Sequence, residues 1–294
     1  MRALIINADD FGRSRETNAG ILRAHREGVL TSASLMVAEP GCAEAVAAAR
    51  DCPGLDVGLH AVVCNGLSLL PPRQLRGLVD DAGRFPPGEV WAGLRYALRP
   101  GLRARLRDEL RAQVERHLEL VGYLYHINAH HNLHLHPMLA EIFVELAGEY
   151  RVPYMRLLRE PVWATLSLAR DHWPRKLRDH LIFLWLSGRA SRKMRRRGIA
   201  GNTCTLGFHQ TARMTEDYVS SVLARLPAGS ITEFYFHPAE RPSGNHASRS
   251  DSRAIETEIL TGSAVREAIR RNGITLSTFR ELARRDRGYP LKCC

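Results

Sequence analysis

The feature that most limits how this 294-residue chain can fold is an alternation: about eight short apolar runs recur along it, separated by stretches of helical spacing. The first run, LIINADDFG at residues 4–12, reads as a buried strand that stops at two adjacent carboxylates and a turn glycine. A helix over 15–27, stopped by Gly28, leads to a second strand over 29–38. A helix over 43–50 and a Pro53-Gly54 turn lead to a third strand over 55–63 carrying His60. Residues 65–88 are rich in Pro, Gly and Leu without a period, which reads as a loop, lid-like in position, over one mouth of the fold. Helices are expected over 102–121 and 138–150, and a strand over 152–158. Residues 163–197 read as a long helical region interrupted at Pro174. Strands recur at 203–208, 231–237 and 274–277, with helices near 215–226 and 255–272.

This order predicts one α/β domain over 1–294, a distorted (β/α) barrel with insertions at about 65–100 and 160–200; a doubly wound open sheet is the alternative. The barrel is preferred because Asp9, Asp10, His60, His130, His131 and His237 all fall near carboxyl ends of predicted strands, the barrel face on which active sites form. Adjacent carboxylates repel, and a cation or a shared proton compensates them; a helix N-cap is the plainer use of the same residues. Two carboxylates with two imidazoles suit a divalent cation, Zn²⁺ before Mg²⁺ or another, with one carboxylate left as a base. Three protein ligands would leave an open position for water. In HINAHHNLHLHP, residues 126–137, His130 and His134 pair on a helix, whereas His130, His134 and His136 share a face on a strand. For His126, His131, His134 and His136 individually, a hydrogen-bonded structural role is the favoured expectation.

Composition excludes some classes. Hydrophobic residues make up 45% and charged residues 25%, enough to bury a sizeable core, so disorder is not expected. The start MRALIINADD lacks the apolar core of a signal peptide, and the six cysteines, at 42, 52, 64, 204, 293 and 294, form no CxxC pair. Both observations point to a reducing cytoplasm. A formal charge of +11 and six basic residues within 189–197 would suit nucleic acid, but no aromatic platform or recognised binding module accompanies them, so no nucleic-acid partner is expected. The LIFLWL run at 181–186 is too short to span a bilayer. With the basic run it reads either as a peripheral membrane contact over 181–197 or as barrel-packing core with a solvated face.

NADDFG at 7–12, GLH at 58–60, AHHNLHLHP at 129–137 and TEFYFHPA at 232–239 together resemble the YdjC/ChbG-like carbohydrate deacetylases, over nearly the whole chain. HLHP, the basic segment and TEFYFHPA most resemble the hopanoid-biosynthesis-associated subgroup, HpnK. The resemblance implies a distorted barrel of the glycoside hydrolase/deacetylase type. It also implies one divalent metal held by Asp10, His60 and His130, with Asp9 as general base and His237 as the acid that protonates the departing amine. The implied reaction removes acetate from an N-acetylated amino sugar, for the subgroup an N-acetylglucosaminyl hopanoid; a soluble oligosaccharide or antibiotic intermediate is the alternative. A homodimer and a site at the inner face of the cell membrane accompany that expectation. A non-catalytic sugar-binding protein is the rival, opposed by the joint presence of Asp9, Asp10, His60, His130 and His237. Asn128 stands where many relatives carry Asp, and His131-Asn132 where the subgroup reads Asn-His, leaving open which side chain orients His130.

Overall fold

A computed structural model describes residues 2–241 and 250–287, so Cys293 and Cys294 lie outside the described residues. Eight strands alternate with helices: β1 (Arg2–Phe11), β2 (Ser32–Leu35), β3 (Asp56–Ala61), β4 (His126–Ala129), β5 (Tyr154–Met155), β6 (Cys204–Leu206), β7 (Ile231–Phe236) and β8 (Ile274–Leu276). Seven of them form one parallel path in the order β5-β4-β3-β2-β1-β7-β6, and β8 pairs off this path with the start of β1. Irregular bonds link the two ends of the path. Met155 donates to the Ala200 carbonyl, Ala200 to that of Pro153, and Thr205 to that of Arg159. The expected alternation is therefore present as a distorted (β/α) arrangement rather than a doubly wound sheet.

Side-chain parity along β1 explains the layering. Leu4, Ile6 and Ala8 join the large core beneath the helices, whereas Ala3 and Ile5 face a smaller cluster with Tyr154, Phe279, Leu282 and Ala283. By the same period Asn7 and Asp9 follow Ala3 and Ile5 into the barrel interior, and Asp10 should point away. A left-handed backbone at Asp10, φ 66°, breaks the alternation, and the pairing with β2 shifts register between Ala8 and Phe11.

The helices are α1 (Arg15–Arg26), α2 (Cys42–Arg50), α3 (Glu89–Leu98), α4 (Arg103–Val121), α5 (Pro137–Glu149), α6 (Val162–Leu168), α7 (Trp173–Arg196), α8 (Glu216–Leu223), α9 (Ser250–Thr261), α10 (Ser263–Arg271) and α11 (Phe279–Arg287). Several expectations need correction. The helical region over 163–197 is interrupted at 169–172, just ahead of Pro174, which lies in the first turn of α7 where its missing N–H costs nothing. The strand expected over 152–158 shrinks to two residues because side chains take over its ladder: Asn202, Ser187 and Thr205 accept from the amides of Leu157, Leu158 and Arg159. The helix expected over 255–272 is two, parted at Gly262, where a Cβ would stand 2.9 Å from Glu216 Oε1. Residues 65–88 are not a free flap, since buried Glu109 accepts from the amides of Leu69 and Leu70 and Glu39 from that of Leu67. LIFLWL is mostly not core: Phe183 and Leu186 pack against it, but Leu181, Ile182, Leu184 and Trp185 are all exposed. Among the described residues no helix is long and apolar enough to cross a membrane.

Candidate active site

Four strand ends supply the site. Asp9 and Asp10 end β1, His60 lies in β3, His130 follows β4 and His237 follows β7. His130 is delivered by a sharp reversal rather than by either regular element. His131 and Asn132 both have left-handed backbones, φ 53° and 56°, so neither the helical nor the strand-face pairing of the histidine-rich stretch forms. Instead His134 turns back into the fold, accepting from the Ala129 amide and meeting the Arg156 carbonyl at 3.1 Å. His126 stacks on Phe279 at 4.2 Å between ring centroids and meets Ser34 Oγ. His136 packs on the Tyr96 ring, and His131 packs edge-on against His130 at 4.2 Å.

Three atoms converge. Asp10 Oδ1 lies 3.1 Å from His130 Nδ1 and 3.5 Å from His60 Nε2, and the two nitrogens are 3.3 Å apart. Ligands of a tetrahedral zinc ion, at roughly 2.0–2.1 Å from the metal, are about 3.3–3.4 Å from one another, so the triangle has the size of one face of such a site. Asp10 Oδ1 is buried without a well-directed hydrogen bond. The donor set, the spacing and that orphaned oxygen all fit a divalent cation. The other oxygen, Oδ2, accepts from Arg253 at 2.6 Å and Arg13 at 3.3 Å. Burial alone would raise the Asp10 pKa, but His130, His60 and Arg253 hold it well below the ordinary carboxylate range.

Asp9 takes a different set of partners. Its carboxylate pairs end-on with the two terminal nitrogens of the Arg156 guanidinium, Oδ2 at 2.6 Å from Nη1 and Oδ1 at 2.7 Å from Nη2, and Oδ1 also accepts from Asn7 Nδ2 at 2.9 Å. Against the upward push of burial, Arg156 and His60 hold Asp9 ionised far below the ordinary carboxylate pKa. Arg156 itself is buried, pairs on its other side with Glu233 Oε1 at 2.6 Å, and lies 4.4 Å over the Tyr235 ring. His237 is partly exposed, and its amide donates to buried Glu256. Desolvation pushes the His237 pKa down to about 4 despite the opposing pull of Asp10 and Asp9, which leaves the imidazole neutral at pH 7.

Asn128, two residues before His130, meets His60: its Oδ1 lies 2.6 Å from His60 Nδ1. In that orientation His60 carries its proton on Nδ1 and turns the lone pair of Nε2 toward Asp10 and His130. The reversed amide would present N–H to His60 and its oxygen to Arg156 at 2.8 Å, leaving the proton on Nε2. The contact at the far nitrogen of His130 comes from Arg13, 3.3 Å from Nε2. Sequence reasoning passed over Arg156, Glu233, Arg13 and Arg253. The signal for the first two was a charge inside an apolar strand, in PYMRLL and in TEFYF.

Residues 3–271 match the YdjC-like protein family. The chain is 34% identical to a carbohydrate deacetylase of Brevibacillus brevis over 281 residues, covering 95% of this chain and 99% of that protein. A carbohydrate deacetylase of Geobacillus stearothermophilus is 31% identical, with 95% and 98% covered. Among solved structures, a putative cellobiose-phosphate cleavage protein from Enterococcus faecalis V583 superposes with a TM-score of 0.73 at 25% identity, covering 96% of this chain and 98% of that one. A match of this extent, on a fold that carries the same ordered motifs to one mouth, makes the chain a member of the YdjC-like family.

Proposed function

We propose that this protein is a divalent-metal-dependent N-deacetylase that removes acetate from an N-acetylated amino sugar. The observation that carries the reading is the triangle of Asp10 Oδ1, His60 Nε2 and His130 Nδ1, with a separately anchored carboxylate, Asp9, beside it. These three residues would hold the metal, Zn²⁺ by preference for this donor set, and the metal would acidify a water and polarise the acetamido carbonyl. Asp9 takes the proton from the attacking water. Arg156 keeps its carboxylate ionised and fixed in direction, exchanging basicity for position. His237, neutral at rest, gives a proton to the departing nitrogen only after receiving the one that Asp9 took from the attacking water; a pKa of about 4 makes it a strong acid once protonated. The names of the relatives support the sugar amide as substrate.

For the acceptor, the reading is a lipid-linked sugar, an N-acetylglucosaminyl hopanoid, met at the inner face of the membrane through 181–197. The outward side of α7 supports it, with exposed Arg178, Leu181, Trp185, Arg189, Arg192 and Arg196 recurring at helical spacing. The Arg189 guanidinium sits 5.1 Å over the Trp185 ring. The test measures acetate release from soluble N-acetylchitobiose and from an N-acetylglucosaminyl lipid in mixed micelles, before and after chelation and zinc addition. Release abolished by chelator and restored by zinc is expected, faster on the lipid. Release that chelation leaves untouched would refute metal dependence, and preference for the soluble sugar would refute the lipid acceptor.

A further inference from the structure

α3 carries apolar side chains on two opposite faces. Ala92 and Tyr96 are fully buried, and the Tyr96 hydroxyl donates to the Val63 carbonyl. The opposite face bears Val90, Trp91, Leu94 and Leu98, exposed at 75, 73, 47 and 71%. Spacings of three and four residues align the last three as one stripe. Single exposed apolar residues are ordinary, but a contiguous stripe marks a surface that meets something. This stripe is fixed at the mouth of the site. Glu89, the first residue of α3, pairs with His131 at 3.6 Å, and His131 packs on His130.

A second exposed group is anchored to other strand ends on the same side of the sheet. Ser187 of α7 exchanges two 3.0 Å hydrogen bonds with Leu158, beyond β5, and the Phe183 ring lies 4.7 Å from Phe208, beyond β6. The turns of α7 that precede Ser187 carry exposed Trp173, Leu181 and Trp185, and α6 carries Trp163, exposed at 73%. Both insertions thus place tryptophan and aliphatic side chains around the carboxyl ends of the strands.

Resting on the lipid-linked reading above, we propose that α3 is a second foot on a lipid bilayer, so that the site, between α3 and the α6–α7 pair, opens onto the membrane surface. A bilayer suits this arrangement better than a second protein. Four apolar side chains on fewer than three turns fall well short of the roughly 20–30 residues a side that a stable protein interface gathers. Two separated small patches rich in tryptophan, in a chain of net charge +11, match a soft anionic surface that each can enter independently. The stripe itself is apolar and the one basic residue of α3, Arg95, is tied to the Gly77 carbonyl, so the share of α3 in binding is mainly apolar and weakly sensitive to salt, in contrast to the arginines of α7.

The test uses the full chain with vesicles of phosphatidylcholine alone and of phosphatidylcholine with phosphatidylglycerol, followed by co-sedimentation. Trp91→Glu/Leu98→Glu should lower partition at least about tenfold on both compositions, and on phosphatidylcholine alone equally at low and high salt. Acetate release from soluble N-acetylchitobiose in vesicle-free buffer should be unchanged. The milder Trp91→Ala/Leu98→Ala should lose less in the same direction, which guards against a folding defect. Equal partition of variant and parent overturns the proposal, as does a parent that does not bind vesicles. A parent dimer that Trp91→Glu/Leu98→Glu dissolves without changing vesicle binding overturns it in favour of a second copy of the chain. Failure of the parent to release acetate from any N-acetylated sugar would instead remove the deacetylase reading, and the vesicle measurement stands independently of it.

Discussion

Replacing Arg156 by Met separates what the buried charges do for stability from what they do for chemistry. The guanidinium is the shared partner of two buried carboxylates, Asp9 and Glu233, and Glu233 Oε2 has no further hydrogen bond. Breaking a buried pair from one side costs about 3–5 kcal/mol, because the abandoned charge has no solvent to turn to. For a chain of this length that corresponds to a fall in Tm of roughly 5–8 °C. Adding Glu233→Gln to Arg156→Met removes one of the two orphaned charges and should restore a substantial part of the lost stability. It should not restore turnover. Without the guanidinium, burial drives the Asp9 pKa up, so the carboxylate is protonated and cannot accept the water's proton. The assay pairs thermal unfolding with acetate release across pH and with zinc titration by calorimetry. Zinc affinity should change little, since Asp10, His60 and His130 are untouched, while kcat falls by about 10²–10⁴ and its acid limb moves to higher pH. A double variant that recovers turnover along with stability would refute the role given to Arg156.

Three further outcomes are expected. Asp9→Asn should retain zinc and lose turnover, whereas Asp10→Asn, His60→Ala and His130→Ala should each lose zinc; calorimetry showing the reverse would exchange the roles of Asp9 and Asp10. Asn128→Asp, which can only accept from His60 Nδ1, should tighten zinc by about tenfold or more, and unchanged affinity would show that residue 128 does not set the tautomer of His60. Glu160 is buried, and burial pushes its pKa up to about 7, against the amides of His209 and Phe208 and the Thr165 hydroxyl. A folded pKa raised above the unfolded value gives stability that is full below about 4.5 and lost as pH rises to 7, about 3 kcal/mol in all. Glu160→Gln should therefore gain on the parent by about that amount between pH 4.5 and 8 in urea unfolding, and parallel profiles would contradict the assignment.

Patterns with a period were readable from sequence. The strand-helix alternation, the run of β1 into two carboxylates and the turn at Gly28 all depend on local spacing, and each recurs in the structure. What escaped depends on partners distant in the chain. Nothing local to HINAHHNLHLHP announces two consecutive left-handed residues, yet they send His130 to the site and His134 away from it. Asn128 sits two residues before His130 but answers to His60, because neighbouring parallel strands place His60 directly opposite Asn128. Arg156 was hidden in an apolar strand, and its meaning came only with Asp9, 147 positions earlier. LIFLWL illustrates a limit of composition, since an apolar hexamer has the same letters whether it packs or protrudes.

β1 precedes the other described strands in the chain and is among the last of them to be completed. Its partners include β7 at 231–236 and β8 at 274–276, and Phe279 of α11 closes the small cluster beneath Ala3 and Ile5. A ribosome must therefore release most of the polypeptide before the strand bearing both aspartates gains a neighbour on its β7 side. Until then LIIN presents an unpaired apolar edge, the kind of surface that sticks to other nascent chains. Such long-range pairing makes for slow closure. A chain cut short before Phe279 would keep both aspartates but lack the ring that closes the cluster beneath Ala3 and Ile5.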